Sequence, residues 1–245
     1  MITSIRLARP VTTRSGRPNI DPSVMTPTRA SIAEQPVWDL PIRLSHWLLA
    51  VLILFSWWSV KNQHTDWHIW SGCAILTLLI FRLLWGVFGS STARFANFIR
   101  GPGAIRDDLG GRWSGIGHSP LGGLSVLVLF GVVGVQVSLG LISEDEDGLY
   151  LGPLARLVST NTSDRARDLH ELWFNLILLV VILHVAAILF YRLRGRPLTK
   201  AMITGKTLAD PVAQPMRPGK WWAALICLAI AFAIVRWIIA GAPPF

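Results

Sequence analysis

Five runs of about twenty mostly apolar residues, each long enough to cross a bilayer as a helix, restrict this chain to one kind of surroundings. They are 41–60 (PIRLSHWLLAVLILFSWWSV), 68–89 (HIWSGCAILTLLIFRLLWGVFG), 120–142 (PLGGLSVLVLFGVVGVQVSLGLI), 171–191 (ELWFNLILLVVILHVAAILFY) and 221–240 (WWAALICLAIAFAIVRWIIA). At 1.5 Å of rise per residue, a run of this length covers the ~30 Å of hydrocarbon in a membrane. Lipid offers no partner to a backbone N–H or C=O, so a span this long must be helical. Charged residues make up only 15% of the 245 and hydrophobic ones 52%, whereas a soluble domain carries about 25% charged. The expected fold is an all-α integral membrane helical bundle with no soluble domain.

The net charge of +9 does not indicate a nucleic-acid partner, because no soluble stretch interleaves the basic residues with stacking aromatics. Cys73 and Cys227 are the only cysteines. They cannot supply a disulfide framework, a cysteine metal knuckle or a thiolate iron–sulfur site, and no CxxCH occurs to attach a c-type haem. Residues 1–36 carry Arg6, Arg9, Arg14, Arg17 and Arg29 among Pro, Ser and Thr, and are expected to form a disordered cytoplasmic tail. Outside the spans, six Lys and Arg precede or include Arg43, four lie in 90–118 and seven in 192–220. The alternate loops, 61–67 and 143–169, hold only Lys61, Arg156, Arg165 and Arg167, together with the acidic run Glu144, Asp145, Glu146 and Asp147. The positive-inside rule then puts the N-terminus in the cytoplasm and the C-terminus on the outer side of the membrane. The acidic run suits either a docking face for a basic redox partner or a solvated loop.

Topology gives each histidine a depth. His170 and His184 are 14 residues apart on the fourth span, so they share a helix face and differ in height by about 21 Å. His46 on the first span matches the depth of His184, and His68 on the second matches His170. Two pairs of neutral imidazoles, one above the other, are a ligand set for two low-spin haem irons with no open coordination position. A zinc site, a proton path or interfacial snorkelling are the other readings of these residues. His184 weighs most against snorkelling, since it lies inside VVILHVAAILF.

Arg82 follows His68 by the same 14 residues, which puts a guanidinium level with His46 and His184. There it would either pair with a haem propionate or snorkel to headgroups. His118, in GHSPLGG at the start of the third span, has the same depth. It could hydrogen-bond a propionate or a quinone carbonyl, or simply belong to the loop. Gly72, Gly86 and the glycines of 120–142 would let a flat macrocycle approach the backbone, or let helices pack closely. His64, in KNQHTDWH, is expected to be a solvated loop residue.

RLSHW, HIWSG followed by FRLLWG, GHSPLGG, HELWFN with the later LH at 183–184, and the closing KAMITG resemble the prokaryotic cytochrome b561 family, related to the b-type subunits of nickel–iron hydrogenases. The resemblance covers residues 37–205. It implies a four-helix di-haem core ligated by His46, His68, His170 and His184, to which residues 206–245 add a linker and a fifth C-terminal transmembrane helix. It also implies electron transfer in a respiratory chain between quinol or quinone and a periplasmic cytochrome c or redox enzyme subunit. No catalytic residue is identified, and membership of a larger oxidoreductase complex stays open. The alternative from another class is a haem-free small transporter, channel or membrane anchor, in which His184 and Arg82 would line a proton or anion path.

Overall fold

A computed structural model describes residues 33–113, 115–209 and 214–242; the expected disordered tail therefore lies outside the described residues except for 33–36. Those four form a short strand, β1 (Ala33–Pro36). The elements that follow are α1 (Leu40–Lys61), α2 (Thr65–Phe88), α3 (Phe95–Phe98), α4 (Pro102–Leu109), α5 (Pro120–Ile142), α6 (Thr160–Leu193), α7 (Leu198–Thr204), β2 (Lys206–Ala209) and α8 (Trp221–Ile239). Helices α1, α2, α5, α6 and α8 are each long and apolar enough to cross a membrane. The protein is thus an all-α integral membrane bundle, as expected.

The span boundaries agree with the sequence reading except in α6. This helix begins at Thr160 rather than near residue 171, so the last ten residues of the segment read as an outer loop, 143–169, are helical. Its first turns are too polar to register as a span, yet Ser159 caps them through its hydroxyl, which accepts from Thr162 N, and nothing in the polar stretch breaks a helix.

Sequence chemistry sets the helix starts. Asp39 caps α1: its Oδ1 accepts from Ile42 N at 2.8 Å, with Pro41 in the first turn, where the missing N–H costs nothing. Ser119 followed by Pro120 repeats the arrangement at α5. The other carboxylate oxygen of Asp39 accepts from Trp85 Nε1 at 3.0 Å, which binds the start of α1 to the end of α2. Trp85 is 1% exposed and packs with Ile42, Phe81, Cys227 and Ala231, so α8 joins the bundle against α2. A second core of Ile75, Leu79, Val133, Val137 and Ile177 fills the middle of α2, α5 and α6. Helix α1 packs along α2 and α5 along α6, with α2 meeting α5; α1 and α6, which would close the ring, do not pack closely against each other.

A clasp closes the chain at the end of the bundle where α1 begins, here the proximal end. Strands β1 and β2 pair antiparallel. The carbonyl of Gly205 accepts from Val37 N at 2.8 Å and Trp38 N at 3.2 Å, and Arg43 Nη2 donates to the Ile203 carbonyl. Gly205 ends α7 at φ +79°, a left-handed backbone that favours glycine. A Cβ there would stand 2.8 Å from the Trp38 carbonyl oxygen. Gly205→Ala should therefore cost about 1–3 kcal/mol and lower the thermal unfolding midpoint of the solubilised protein. Gly103→Ala, in open space on α4, should leave that midpoint unchanged or raise it; equal midpoints for both variants would discount the clasp.

Candidate functional site

At the distal end, where α1 finishes and α2 begins, His68 of α2 and His170 of α6 meet edge to face, with ring centroids 5.8 Å apart and planes at 89°. Each ring is anchored by its other nitrogen. His68 Nδ1 lies 3.0 Å from the Ser56 carbonyl oxygen and 3.0 Å from the Ser56 hydroxyl, both on α1. His170 Nδ1 lies 2.9 Å from the Gln136 carbonyl oxygen on α5, and Gln136 Nε2 returns a hydrogen bond to the His170 carbonyl at 3.0 Å. Because a carbonyl only accepts, both rings carry their proton on Nδ1 and keep a free lone pair on Nε2. This is the arrangement of a metal-ligating imidazole, in which the outer hydrogen bond fixes the tautomer and the ring direction.

The proximal end gathers His46 of α1, His184 of α6, Arg82 of α2 and His118, two residues before α5. His46 lies within electrostatic reach of His184 and of Arg82. His184 Nδ1 is 3.2 Å from the Ser125 hydroxyl, again leaving Nε2 for another partner. His46 Nδ1 is buried with no hydrogen-bond partner. The ring is therefore less constrained than the other three. Arg82 stands 5.9 Å from the Phe130 ring centroid and within the field of Asp39. It makes no ion pair among the described residues.

His118 is wedged between Trp38, at 4.5 Å, and Phe98, at 4.4 Å, ring to ring. Burial pushes its pKa down to about 3, helped by the charge of Arg82 and by His46, against a hydrogen bond to the Thr92 backbone that raises it. In this protein His118 is therefore a neutral hydrogen-bonding group rather than a cation. His64 stands apart, stacked near Trp67 at 4.5 Å on the distal rim.

The residues present fit a flat, iron-bearing macrocycle better than a closed metal site. No three His, Cys, Asp or Glu side chains converge as a metal site among the described residues; the histidines on the spans lie on α1, α2 and α6, and α1 and α6 do not pack closely against each other. An added Cβ at Gly72, Gly131 or Gly134 would meet nothing within 4 Å, so backbone is open to a planar group there.

Sequence reading named the four histidines and Arg82 as candidates but did not name the polar groups that their rings meet. Ser56, Ser125 and Gln136 are single polar residues on apolar faces, a pattern available to inspection, yet only the fold shows which ring each one meets. Asp39, the cap of α1, was likewise not read as the anchor of Trp85 or as the counter-charge near Arg82.

Residues 37–205 match the family described as prokaryotic cytochrome b561, and the chain belongs to that family. It is accordingly a transmembrane b-type cytochrome, an electron-transfer protein that binds b-type haem. No curated protein and no solved structure matches it.

Gly140 of α5 backs the His170 ring: a Cβ there would fall 3.0 Å from Cε1 and 3.3 Å from Nδ1. Gly140→Ala should tilt the ring and weaken its bond to Gln136, a loss of about 1 kcal/mol. The expected readout is a shifted ferric electron paramagnetic resonance signal of the bound haem; a spectrum superimposable on wild type would show that His170 is not a ligand or that the ring does not move.

Proposed function

We propose that the chain holds two haems b, one at each end of the bundle, and carries electrons across a bacterial inner membrane between the quinone pool and a periplasmic cytochrome c or redox enzyme subunit. The observation that supports this best is the His68–His170 pair: touching rings with both Nδ1 atoms committed to carbonyls of neighbouring helices. These two residues would hold the distal haem. His46 and His184 would hold the proximal one. A bound haem supplies a one-electron couple; the protein supplies ligation, burial and the surrounding charge that set its potential.

Arg82 and His118 would meet a propionate of the proximal haem, the first as a charged donor and the second as a neutral one, with a quinone carbonyl as the other partner open to His118. The count of Lys and Arg supports a cytoplasmic N-terminus and periplasmic C-terminus, which would make the proximal end cytoplasmic. The cytochrome unit would then be 37–205, with 206–245 as linker and added helix. On the distal side, Glu144 and Leu151 bridge a tight turn in which Asp145 Oδ1 accepts from Tyr150 N at 2.9 Å. Glu146 and Asp147 are left exposed at its tip, where they would steer a basic partner.

Purified protein should show a reduced-minus-oxidised b-type spectrum and two haems per chain by pyridine haemochrome assay. A colourless protein would favour the transporter, channel or anchor, and one haem would remove one of the pairs. His46→Ala and His184→Ala should deplete one spectral component, and His68→Ala and His170→Ala the other. Depletion of the same component by His46→Ala and His68→Ala would show the pairing to be wrong.

Arg82→Gln should lower the potential of the proximal haem alone, because loss of a nearby cation favours the ferric state. Redox titration of both components checks this, and unchanged midpoints would mean that Arg82 acts only on Asp39.

A further inference from the structure

The two loops richest in basic residues at the proximal end, far apart in sequence, build one cleft. Ser91 N donates to the Arg217 carbonyl at 3.0 Å, and Arg217 N donates to the Ser91 hydroxyl at 2.9 Å. Asn97 Nδ2 secures the same turn through the Ser91 carbonyl at 2.7 Å. Gly219 lets the returning chain cross the face of Trp85, where a Cβ would fall 2.6 Å from the indole. Between these segments lies a cleft of about 960 Å³ lined by Ser91, Arg94, Asn97, Arg100, His118 and Arg217, among others. Its volume lies at the upper end of small-molecule sites, roughly 300–1,000 Å³.

The charge in this cleft is one-sided. Among the described residues no acidic side chain lines it and none of the three arginines forms an ion pair. Arg94 is held by its Nε, which donates to the Gly89 carbonyl at 2.9 Å, so its two terminal nitrogens remain for a ligand. Three guanidiniums around one space repel one another unless an anion sits among them. The forked donors suit the paired oxygens of a phosphate. The cleft also opens where the bundle leaves the hydrocarbon, the level at which phospholipid phosphates lie, and basic pockets between helices at that level are headgroup sites in other membrane proteins.

We propose that this cleft binds a phosphate-bearing anion through Arg94, Arg100 and Arg217, with Ser91 and Asn97 fixing the two loops that carry them. The proposal does not depend on how the histidines pair or on how many haems are bound. Its two sources are an anionic phospholipid headgroup and free phosphate.

The test uses the haem-loaded full chain in mild detergent, with native mass spectrometry against phosphatidylglycerol and phosphatidylcholine, and thermal stability against inorganic phosphate. The variants are Arg94→Gln/Arg100→Gln/Arg217→Gln and a charge-matched control, Arg192→Gln/Arg194→Gln/Lys200→Gln, at the same end but outside the cleft. Wild type and control should retain phosphatidylglycerol over phosphatidylcholine, and the cleft variant should bind it at least tenfold more weakly with its haem spectrum intact. Stabilisation by millimolar phosphate, lost in the cleft variant, would identify the free anion as the ligand. Equal binding by wild type and cleft variant, or an equal loss in the control, would overturn the proposal in favour of general surface charge. If the triple variant loses its haem, Arg100→Gln alone carries the same comparison.

Discussion

Everything in this bundle follows from the absence of water in the hydrocarbon layer. A polar nitrogen that would be solvated in a soluble protein must there find a partner on a neighbouring helix or cost several kcal/mol. For the imidazoles of His68 and His170 that partner is a main-chain carbonyl on α1 or α5, and the same bond that satisfies one nitrogen aims the other. Helix packing and cofactor chemistry are thus one problem. The register of α1 on α2, and of α5 on α6, decides which carbonyl meets which ring. A slip of one residue in either pair would rotate the acceptor away and turn an aimed imidazole into a buried, unsatisfied donor.

The two ends of the bundle solve that problem differently. Distal rings are clamped by carbonyls, and at the Gln136–His170 contact the clamp is reciprocal. Proximal rings have a serine hydroxyl in one case and nothing in the other, while Arg82 adds a positive charge nearby. A stronger acceptor behind an imidazole makes it a more basic ligand, and a neighbouring cation favours the reduced iron. In the proposed two-haem arrangement both differences would act in the same direction, towards an electron resting more stably at the proximal end.

Much of this was readable from the linear chain because a membrane reduces a fold to a few variables. Length fixed the spans, periodicity fixed the faces, and the 14-residue intervals from His68 to Arg82 and from His170 to His184 placed residues in depth. What stayed hidden depended on contacts between helices. Nothing adjacent to Ser125 announces that it meets His184, 59 residues away. The polar opening turns of α6 read as loop, since hydropathy measures affinity for lipid and not helix formation. The strand pairing of 33–36 with 206–209 was invisible for a related reason: four residues carry too little pattern to mark a strand, and their pairing is set by the helices that bring them together.

That pairing makes the matched region a closed circuit. The chain enters at Val37 and leaves at Gly205, and these two residues share a hydrogen bond, so four membrane crossings begin and end at one point on the surface. Neither terminus of the region hangs free to fray, and opening either requires breaking its hold on the other. The segment that continues from there to α8 is attached at this one point and need not thread between the helices. Such a unit behaves as a cassette: sequence can be added, exchanged or lengthened at its single junction while the four helices around the histidines keep their register.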